Sequence, residues 1–183
     1  MADLTTLANA KLWLGVTNTS DDPLLTRLVS AASQFVQEFI GRYILTAPYS
    51  FTVSGRGGFK AILPNYPVTA VSSVTVDGQA IPASTGPLLP GYTFDAYQVY
   101  LNGYAFNAGI NNVTIAYTAG YATAPLDIEQ ACLEITGSMY RRRDRVDLIS
   151  KGALGETTSY SQLDFPPTVK SVLYNYKKYI PIV

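Results

Sequence analysis

The chain has 183 residues, of which 48% are hydrophobic and 14% charged, and this is enough apolar content to build the core of one ordinary domain. No apolar run could span a bilayer and no export signal is visible, so we expect a protein made and kept in a cytoplasm, without a membrane partner. Histidine is absent and Cys132 is the single cysteine, which excludes an internal disulfide and removes the commonest metal ligand and general base. We therefore expect no enzyme activity, no cofactor and no metal site.

The formal net charge is zero, but the charges are unevenly distributed along the chain. Residues 61–140 contain no Lys or Arg, whereas residues 141–183 contain eight basic and four acidic side chains. This pattern predicts a basic C-terminal part that faces phosphate or an acidic partner. It also predicts that the low-charge middle of the chain is covered in an assembly.

Two helices are predicted in the first 41 residues. The first should run from Leu4 to about Leu14, with Asp3 as its cap and Gly15 as its end. The second begins at residues 22–23, a favourable Asp-Pro start, and ends at Gly41. Its apolar side chains recur at helical spacing, at Leu25, Leu28, Ala32, Phe35, Val36 and Phe39.

Residues 46–120 have alternating patterns and frequent Gly, Pro and Asn, so we predict a β-rich insertion there. Strands are expected at residues 49–53, 60–63, 71–76, 79–81, 97–101 and 112–119. The strand over 60–63 should return from 49–53 across a tip at 56–58. The dipeptide at 77–78, Asp-Gly, predicts a tight hairpin turn between the third and fourth of these strands.

Residues 125–145 are predicted to form the central helix, with Pro125 at its start, acidic residues in its first turn and arginines in its last. One apolar stripe follows its length, at Ile128, Ala131, Cys132, Ile135 and Met139. Residues 146–165 have no period, and we expect them to be mobile in the free subunit and ordered on assembly. A last helix over 166–180 should cover the central stripe together with the second helix.

The predicted fold class is α+β. A small helical bundle of three long helices and a short N-terminal helix carries the β-rich insertion between the second and third helices. We expect a single domain over 1–183, in which 1–45 and 121–183 form the bundle and 46–120 the insertion.

Two sets of candidate site residues follow from the charge pattern and the loop. The partner-facing or DNA-facing candidates are Arg141, Arg142, Arg143, Arg145, Lys151, Lys170, Lys177 and Lys178. The assembly-interface candidates are Glu156, Thr157, Thr158, Ser159, Tyr160, Tyr179, Ile180 and Ile182. A helix C-terminus also favours arginine through its dipole alone, so a solvated helix end stays an alternative for the arginine run.

Two other functions are less well supported by the sequence. The sequence contains 14 tyrosines, and five of them could form a carbohydrate-binding accessory module: Tyr92, Tyr97, Tyr100, Tyr104 and Tyr117. Tyrosine is also common in strands and interfaces, which explains these residues more simply. The other rival, an unrecognised hydrolase, lacks any Gly-rich phosphate loop with its lysine and any GxSxG motif.

Several segments resemble the head-tail connector proteins of tailed bacteriophages, also called adaptor or head-completion proteins. They are LANAKLWLGV, DDPLLTRLVSAASQFVQEFIGR, LPNYPVTAVSSVTVDG, NNVTIAYTAGYATAPLDIEQACLEITGSMYRRRDR and GETTSYSQLDFPPTVKSVLYNYKKY. The resemblance implies a structural protein of the virion neck, made in the host cytoplasm, that forms a twelvefold ring beneath the portal protein. It further implies binding to the portal and to the next neck or tail-completion protein. Genomic DNA would pass through the ring without sequence-specific contacts.

Overall fold

Helices and strands occupy separate parts of the chain. The computed structural model describes residues 2–86, 88–143, 150–153, 156–159 and 167–178. Met1–Gly41 and Ala124–Lys177 form one compact unit, here called the helical unit, and Arg42–Thr123 form the body of a second, here called the β unit. The body of the β unit is therefore one continuous segment, to which Lys178 is added, whereas the helical unit is assembled from two separate segments of the chain.

The described part of the helical unit contains four helices: α1 (Leu7–Leu14), α2 (Asp22–Ile40), α3 (Leu126–Arg142) and α4 (Pro167–Asn175). The central helix α3 packs against all three of the others. Its predicted stripe is buried at Ile128, Ala131, Cys132 and Ile135. Helical periodicity therefore identified the face of α3 that the neighbouring helices cover. None of the described helices is long and apolar enough to cross a bilayer.

The first helix begins later than predicted. Its cap is Thr6, whose hydroxyl accepts a hydrogen bond from the backbone N–H of Asn9 at 3.2 Å. Asp3 instead accepts a hydrogen bond from Ser30 on α2. Leu4 lies before the helix and is buried, and its backbone N–H donates to Ser33. Asp3 was therefore the wrong cap because its carboxylate binds the neighbouring helix.

The β unit contains seven strands in two antiparallel sheets. Their bounds are β1 Ala47–Val53, β2 Lys60–Ile62, β3 Val68–Val76, β4 Gln79–Ile81, β5 Gly91–Phe94, β6 Gln98–Asn102 and β7 Val113–Ala119. The larger sheet has the order β1-β7-β3-β4 and the smaller one β2-β6-β5. Both sheets contribute buried side chains to one core, in which Val74, Val99, Ile115 and Tyr117 are almost fully enclosed.

The hairpin predicted around residues 77–78 is confirmed. Val76 pairs with Gln79, and the two turn residues, Asp77 and Gly78, both have left-handed backbone angles, with φ of 52° and 78°. A two-residue turn of this kind has the twist that the flanking strands require, and Asp-Gly is one of the dipeptides that adopt it readily.

The predicted hairpin between β1 and β2 is wrong. β1 pairs with β7, from Ala47↔Ala119 to Val53↔Val113, and β2 pairs with β6 in the other sheet. The chain crosses between the sheets at Gly55, where a side-chain Cβ would lie 2.0 Å from the backbone oxygen of Asn107. This close approach, which only glycine permits, carries the chain away from a return beside β1.

The predicted bundle of three long helices with an insertion is also wrong. The fold is a β-rich α+β fold, in which the β unit has a core of its own. The last helix, predicted over 166–180, has only nine residues and ends at Asn175, a weak helix former. Residues 146–165 were expected to lack regular structure, but β8 (Ser150–Ala153) and β9 (Glu156–Ser159) pair as an antiparallel hairpin. The rest of that segment lies outside the described residues.

Candidate partner-binding site at the end of the central helix

The helices α2 and α3 run antiparallel, so the C-terminal end of α3 lies beside the start of α2. Ser33 and Cys132 meet near the middle of the pair, with Oγ and Sγ 3.5 Å apart. Tyr140 in the last turn of α3 donates a hydrogen bond from its hydroxyl to Asp21, the residue before α2. Three predicted arginines, at 141–143, therefore stand at this end of the helical unit, which we call the basic helix end.

Arg143 is held in place by contacts within the chain. Its Nη1 lies 3.4 Å from Oδ1 of Asp21, and its guanidinium carbon is 4.2 Å from the ring centroid of Tyr140. The hydrogen bond from Tyr140 and, next, the charge of Arg143 hold the pKa of Asp21 below its usual value. The same hydrogen bond raises the pKa of Tyr140. Arg143 therefore connects the end of α3 to the start of α2.

Two aspartates, Asp21 and Asp22, stand at the start of α2, where helix capping is the simplest expectation, but their side chains bind elsewhere. Asp21 occupies the cap position of α2, but its carboxylate makes no capping hydrogen bond. Asp22 instead forms an ion pair with Lys11 of α1, with Nζ and Oδ1 2.6 Å apart. Each carboxylate thus pairs with a cation from another helix, and together they fix the three helix ends.

Two large apolar side chains at the end of α1 stand beside these charges. Leu12 is 83% exposed and Trp13 is 47% exposed. The indole of Trp13 lies against Gly137 of α3, where an added Cβ would be 3.4 Å from Nε1. Arg141 is exposed and lies four residues after Gly137, on the same face of α3 and one turn nearer its end. The basic helix end therefore combines an exposed guanidinium with an aromatic and an aliphatic side chain.

Leu12 and Trp13 were not among the candidates from the sequence. The available signal is helical spacing: Leu4, Leu7, Ala8 and Lys11 fall on one face of the predicted first helix. Leu12 and Trp13 do not belong to that face, so these large hydrophobic side chains need another explanation. Tryptophan and arginine are enriched among the residues that contribute most to protein–protein interfaces. This combination is therefore typical of a surface that binds another protein.

The predicted lysines lie elsewhere. Lys170 and Lys177 place their Nζ atoms 5.9 and 5.4 Å from the ring centroid of Tyr174 on α4. Directly before Lys177, the hydroxyl of Tyr176 donates to Asp127 in the first turn of α3 at 2.9 Å. Since α3 has 17 residues, or about 25 Å of helix, these contacts place Lys177 far from the basic helix end. The candidate cations thus fall into two groups, one at the basic helix end and one on and directly after α4.

The remaining candidates are only partly described. Lys151 belongs to strand β8, and Lys178, which follows α4, is half-buried. Glu156, Thr157, Thr158 and Ser159 form β9, whose backbone pairs with β8. Arg145, Tyr160, Tyr179, Ile180 and Ile182 lie outside the described residues. These residues are therefore not used to define the site.

The five tyrosines proposed for a carbohydrate-binding surface do not share one surface. Tyr92 and Tyr117 are buried, at 8% and 1% exposure, because both belong to the core between the two sheets. Tyr97 is 57% exposed, and Tyr104 is 38% exposed. The reading of all five as one stacking platform is wrong, since alternation along the strands turns two of them inward.

The side chains at the basic helix end are suited to binding another protein. A rigid helix end presents fixed cations and apolar side chains to solvent, which suits an acidic or mixed protein surface. In the described ranges, no group of three His, Cys, Asp or Glu side chains could hold a metal ion. Cys132 is buried, and burial raises the pKa of its thiol, so it behaves as a small core residue.

Comparison with known proteins decides the family. Residues 3–179 match the family described as "HCP: Head completion protein". The chain belongs to the head completion protein family. The family predicted from the sequence motifs is thereby confirmed, and the match covers nearly the whole chain. No curated protein matches the sequence.

Solved structures with a similar fold come from gene transfer agent (GTA) particles. A chain in the neck of an empty GTA particle, computed with C6 symmetry, has a TM-score of 0.62 and 17% identity over 98% of this chain and 92% of that chain. A chain of the native GTA virion has a TM-score of 0.59 and 18% identity, with the same coverage. A chain in the neck of the native particle, computed with C12 symmetry, has a TM-score of 0.56 and 16% identity over 99% and 96%. At these identities the likeness is one of fold.

Proposed function

We propose that this head completion protein is a structural component of the neck of a tailed virus-like particle. In this role it forms a ring beneath the portal and connects the DNA-filled head to the tail or to the next neck protein. The observation that carries the proposal is the family match over residues 3–179, which leaves little of the chain for another function. The similar fold of chains in GTA necks supports the same location. We assign the protein no catalytic role.

Ring assembly is supported by the neck particles themselves, which were computed with C6 and C12 symmetry. We propose twelve copies in the particle. A ring subunit must cover a large surface on each side, and residues 61–140, which contain no Lys or Arg, provide a long segment with little charge to desolvate. Leu12, Leu88 and Ile110 are exposed apolar side chains that could promote association. A closed ring limits this association, because its subunits use up each other's binding surfaces.

The channel through such a ring would let genomic DNA pass without sequence-specific contacts. Phosphate attraction grows with each cation that faces the duplex, so several arginines per subunit in a twelvefold channel would hold the DNA against movement. We therefore propose that the basic helix end contacts the portal or a neighbouring subunit. The contacts of Arg143 support this proposal, because Asp21 and Tyr140 already neutralise and cover part of its charge.

The proposal is tested first by mass measurement in solution, with the protein alone and with its cognate portal. A complex of defined stoichiometry with the portal, or a closed ring of the protein alone, is the expected result. A protein that stays monomeric in both samples, at concentrations well above those needed for assembly in cells, would contradict the ring. The experiment needs no knowledge of which surface meets which partner.

A second test separates paired protein contacts from nonspecific attraction of DNA. Four arginines are replaced together by lysine, which preserves the charge but loses the planar, bidentate geometry of the guanidinium. They are Arg141, Arg142, Arg143 and Arg145. Weaker portal or ring assembly is expected, whereas unchanged assembly and unchanged infectivity would leave DNA or plain solvent as the neighbour of these residues. Replacement of Lys170 and Lys177 by Arg is the matched control, since both lie away from the basic helix end.

A further inference from the structure

An open pocket of about 390 Å³ lies beside the hairpin between β3 and β4, on the β unit. Its wall includes Val76 and Ile81, which are buried at the edge of the core, and the partly exposed ring of Tyr104. Asp77, at the hairpin turn, and Asn107 add polar groups. The pocket thus combines one carboxylate, the two side-chain amides of Gln79 and Asn107, an aromatic ring and an apolar floor.

The carboxylate of Asp77 is held in a fixed orientation. Asn107 donates from Nδ2 to Oδ2 at 2.8 Å, and Asn112 donates from Nδ2 to Oδ1 at 2.7 Å. Asn112 is itself fixed, because its Oδ1 accepts a hydrogen bond from the backbone N–H of Gly55 at 2.9 Å. These two amide hydrogen bonds lower the pKa of Asp77, so the group is ionised at neutral pH.

No cation balances this charge in the part of the chain that the structure describes. The ion pairs found there join Lys11 to Asp22 and Arg143 to Asp21, and neither involves Asp77. Each oxygen of Asp77 accepts one amide hydrogen bond and has a second lone pair available. A carboxylate that is ionised, rigid and next to an aromatic ring is suited to a guanidinium, which can donate paired hydrogen bonds to the two oxygens and stack on the ring face.

The chain itself carries a complementary surface. Arg141 is exposed at the basic helix end, one helical turn after Gly137, against which the indole of Trp13 lies. The loop that contains Asn107 and Asn112 also carries an exposed apolar side chain, Ile110, which is 90% exposed. Each of the two regions therefore carries a charge and exposed apolar side chains, and the two charges have opposite signs. This is the usual composition of a protein interface in which apolar contacts exclude water from a charged pair.

We propose that the pocket at Asp77 receives Arg141 of a neighbouring copy of this chain. The proposal rests on the ring described above and names the contact that closes it. In a cyclic ring each subunit uses two different surfaces, one toward each neighbour, and the pocket and the basic helix end are two such surfaces. The proposed contact has a charged pair at its centre. Because it joins two different surfaces, all subunits take the same orientation around the ring.

Charge reversal tests this contact. Asp77→Arg and Arg141→Asp each place like charges together, so each variant alone should lose assembly into rings by about tenfold or more. The two variants expressed together should assemble again, because alternating copies restore an opposite-charge pair at every interface. A double variant that carries both Asp77→Arg and Arg141→Asp in one chain should assemble as well, because it restores the opposite-charge pair with the signs exchanged. Asp95→Arg is the matched control, since Asp95 is also an exposed carboxylate of the β unit with a lowered pKa, held by other partners.

Several results decide the matter. The proposal is overturned if the single variants assemble like the unmodified protein. It is also overturned if the single variants fail to assemble and neither their co-expression nor the double variant restores assembly. Thermal melting of each purified variant checks that it is folded. Asp77→Asn is the second variant. It removes the charge and keeps the acceptor for one of the two amides, but it loses the other hydrogen bond, so weakened assembly with only a small fall in melting temperature is expected. If the unmodified protein forms no ring at all, the proposed function fails, and this outcome is distinct from the loss of this contact.

Discussion

Substitution of Ile135 by aspartate tests the packing of the helical unit most severely. Ile135 is 1% exposed and lies on the face of α3 that the other helices cover. Loss of a buried isoleucine side chain alone costs about 2–5 kcal/mol. Burial of an ionised carboxylate adds several kcal/mol. The sum is comparable with the ~5–15 kcal/mol that stabilises a typical domain, so the helical unit should be unfolded at 25 °C.

The chain contains its own reporter for this experiment. Trp13 is the single tryptophan, and its indole lies against Gly137 of α3, two residues after the substituted position. Urea denaturation followed by tryptophan fluorescence therefore reports on contact between α1 and α3. Ile135→Ala, measured in parallel, should keep the fold and lower the free energy of unfolding by the ~2–5 kcal/mol given above.

Leu126→Asp is the matched control. Leu126 is on the same helix but is 82% exposed, and a negative charge in the first turn is compatible with the helix dipole. We expect its free energy of unfolding to stay within about 0.5 kcal/mol of the unmodified value. An Ile135→Asp protein with the same melting curve as the Leu126→Asp protein would refute the packing described for α3.

Two further predictions concern other parts of the chain. Tyr140→Phe removes the hydrogen bond that lowers the pKa of Asp21, so NMR titration should find this pKa raised toward its normal value. Because the pKa of Asp21 is depressed in the folded protein, the ionised carboxylate stabilises the fold above the unfolded-state pKa. This stabilisation is lost as the pH falls through the folded-state pKa. The Tyr140→Phe protein should therefore lose less stability in acid than the unmodified protein. Gly120→Ala should destabilise the β unit, since Gly120 has φ of 116° and a Cβ there would lie 2.6 Å from a backbone oxygen. Gly58→Ala, with open space around the position, should melt almost normally, and equal melting of the two variants would contradict the close approach at Gly120.

Helices were the part of the fold that the sequence predicted best. The apolar stripe of α3 repeats every three or four residues, and such a pattern depends only on residues within the same helix. α2 likewise begins at Asp22 and is followed by Gly41 with φ of 78°, as predicted. Helix ends that depend on contacts with distant residues were less predictable. Thr6 caps α1 because the carboxylate of Asp3 binds Ser30, 27 positions further along the chain.

Strand pairing could be predicted only where it was local. The β3–β4 hairpin is specified by two adjacent turn residues, Asp77 and Gly78. The partner of β1 is β7, about 65 residues away, and alternation along β1 carries no information about that partner. β5, Gly91–Phe94, was not predicted because four residues after a proline-rich loop give too short a pattern.

The candidate site was predicted in part. The arginines at 141–143 were identified from their position at a helix end, and the family from motifs spread along the chain. The contact of Tyr140 with Asp21 could not be predicted, since it joins residues 119 positions apart. The same is true of the Asp77 pocket, which exists only because the loop containing Asn107 and Asn112 folds against the hairpin.

The proposed role in joining heads to tails is tested most directly with particles that lack this protein. Cells that produce the particle without this chain should yield DNA-filled heads and free tails, counted by electron microscopy, and addition of the purified protein should join them. The account predicts joined particles only when the protein is present. Normal tailed particles in its absence would contradict the account, whatever oligomer the purified chain forms.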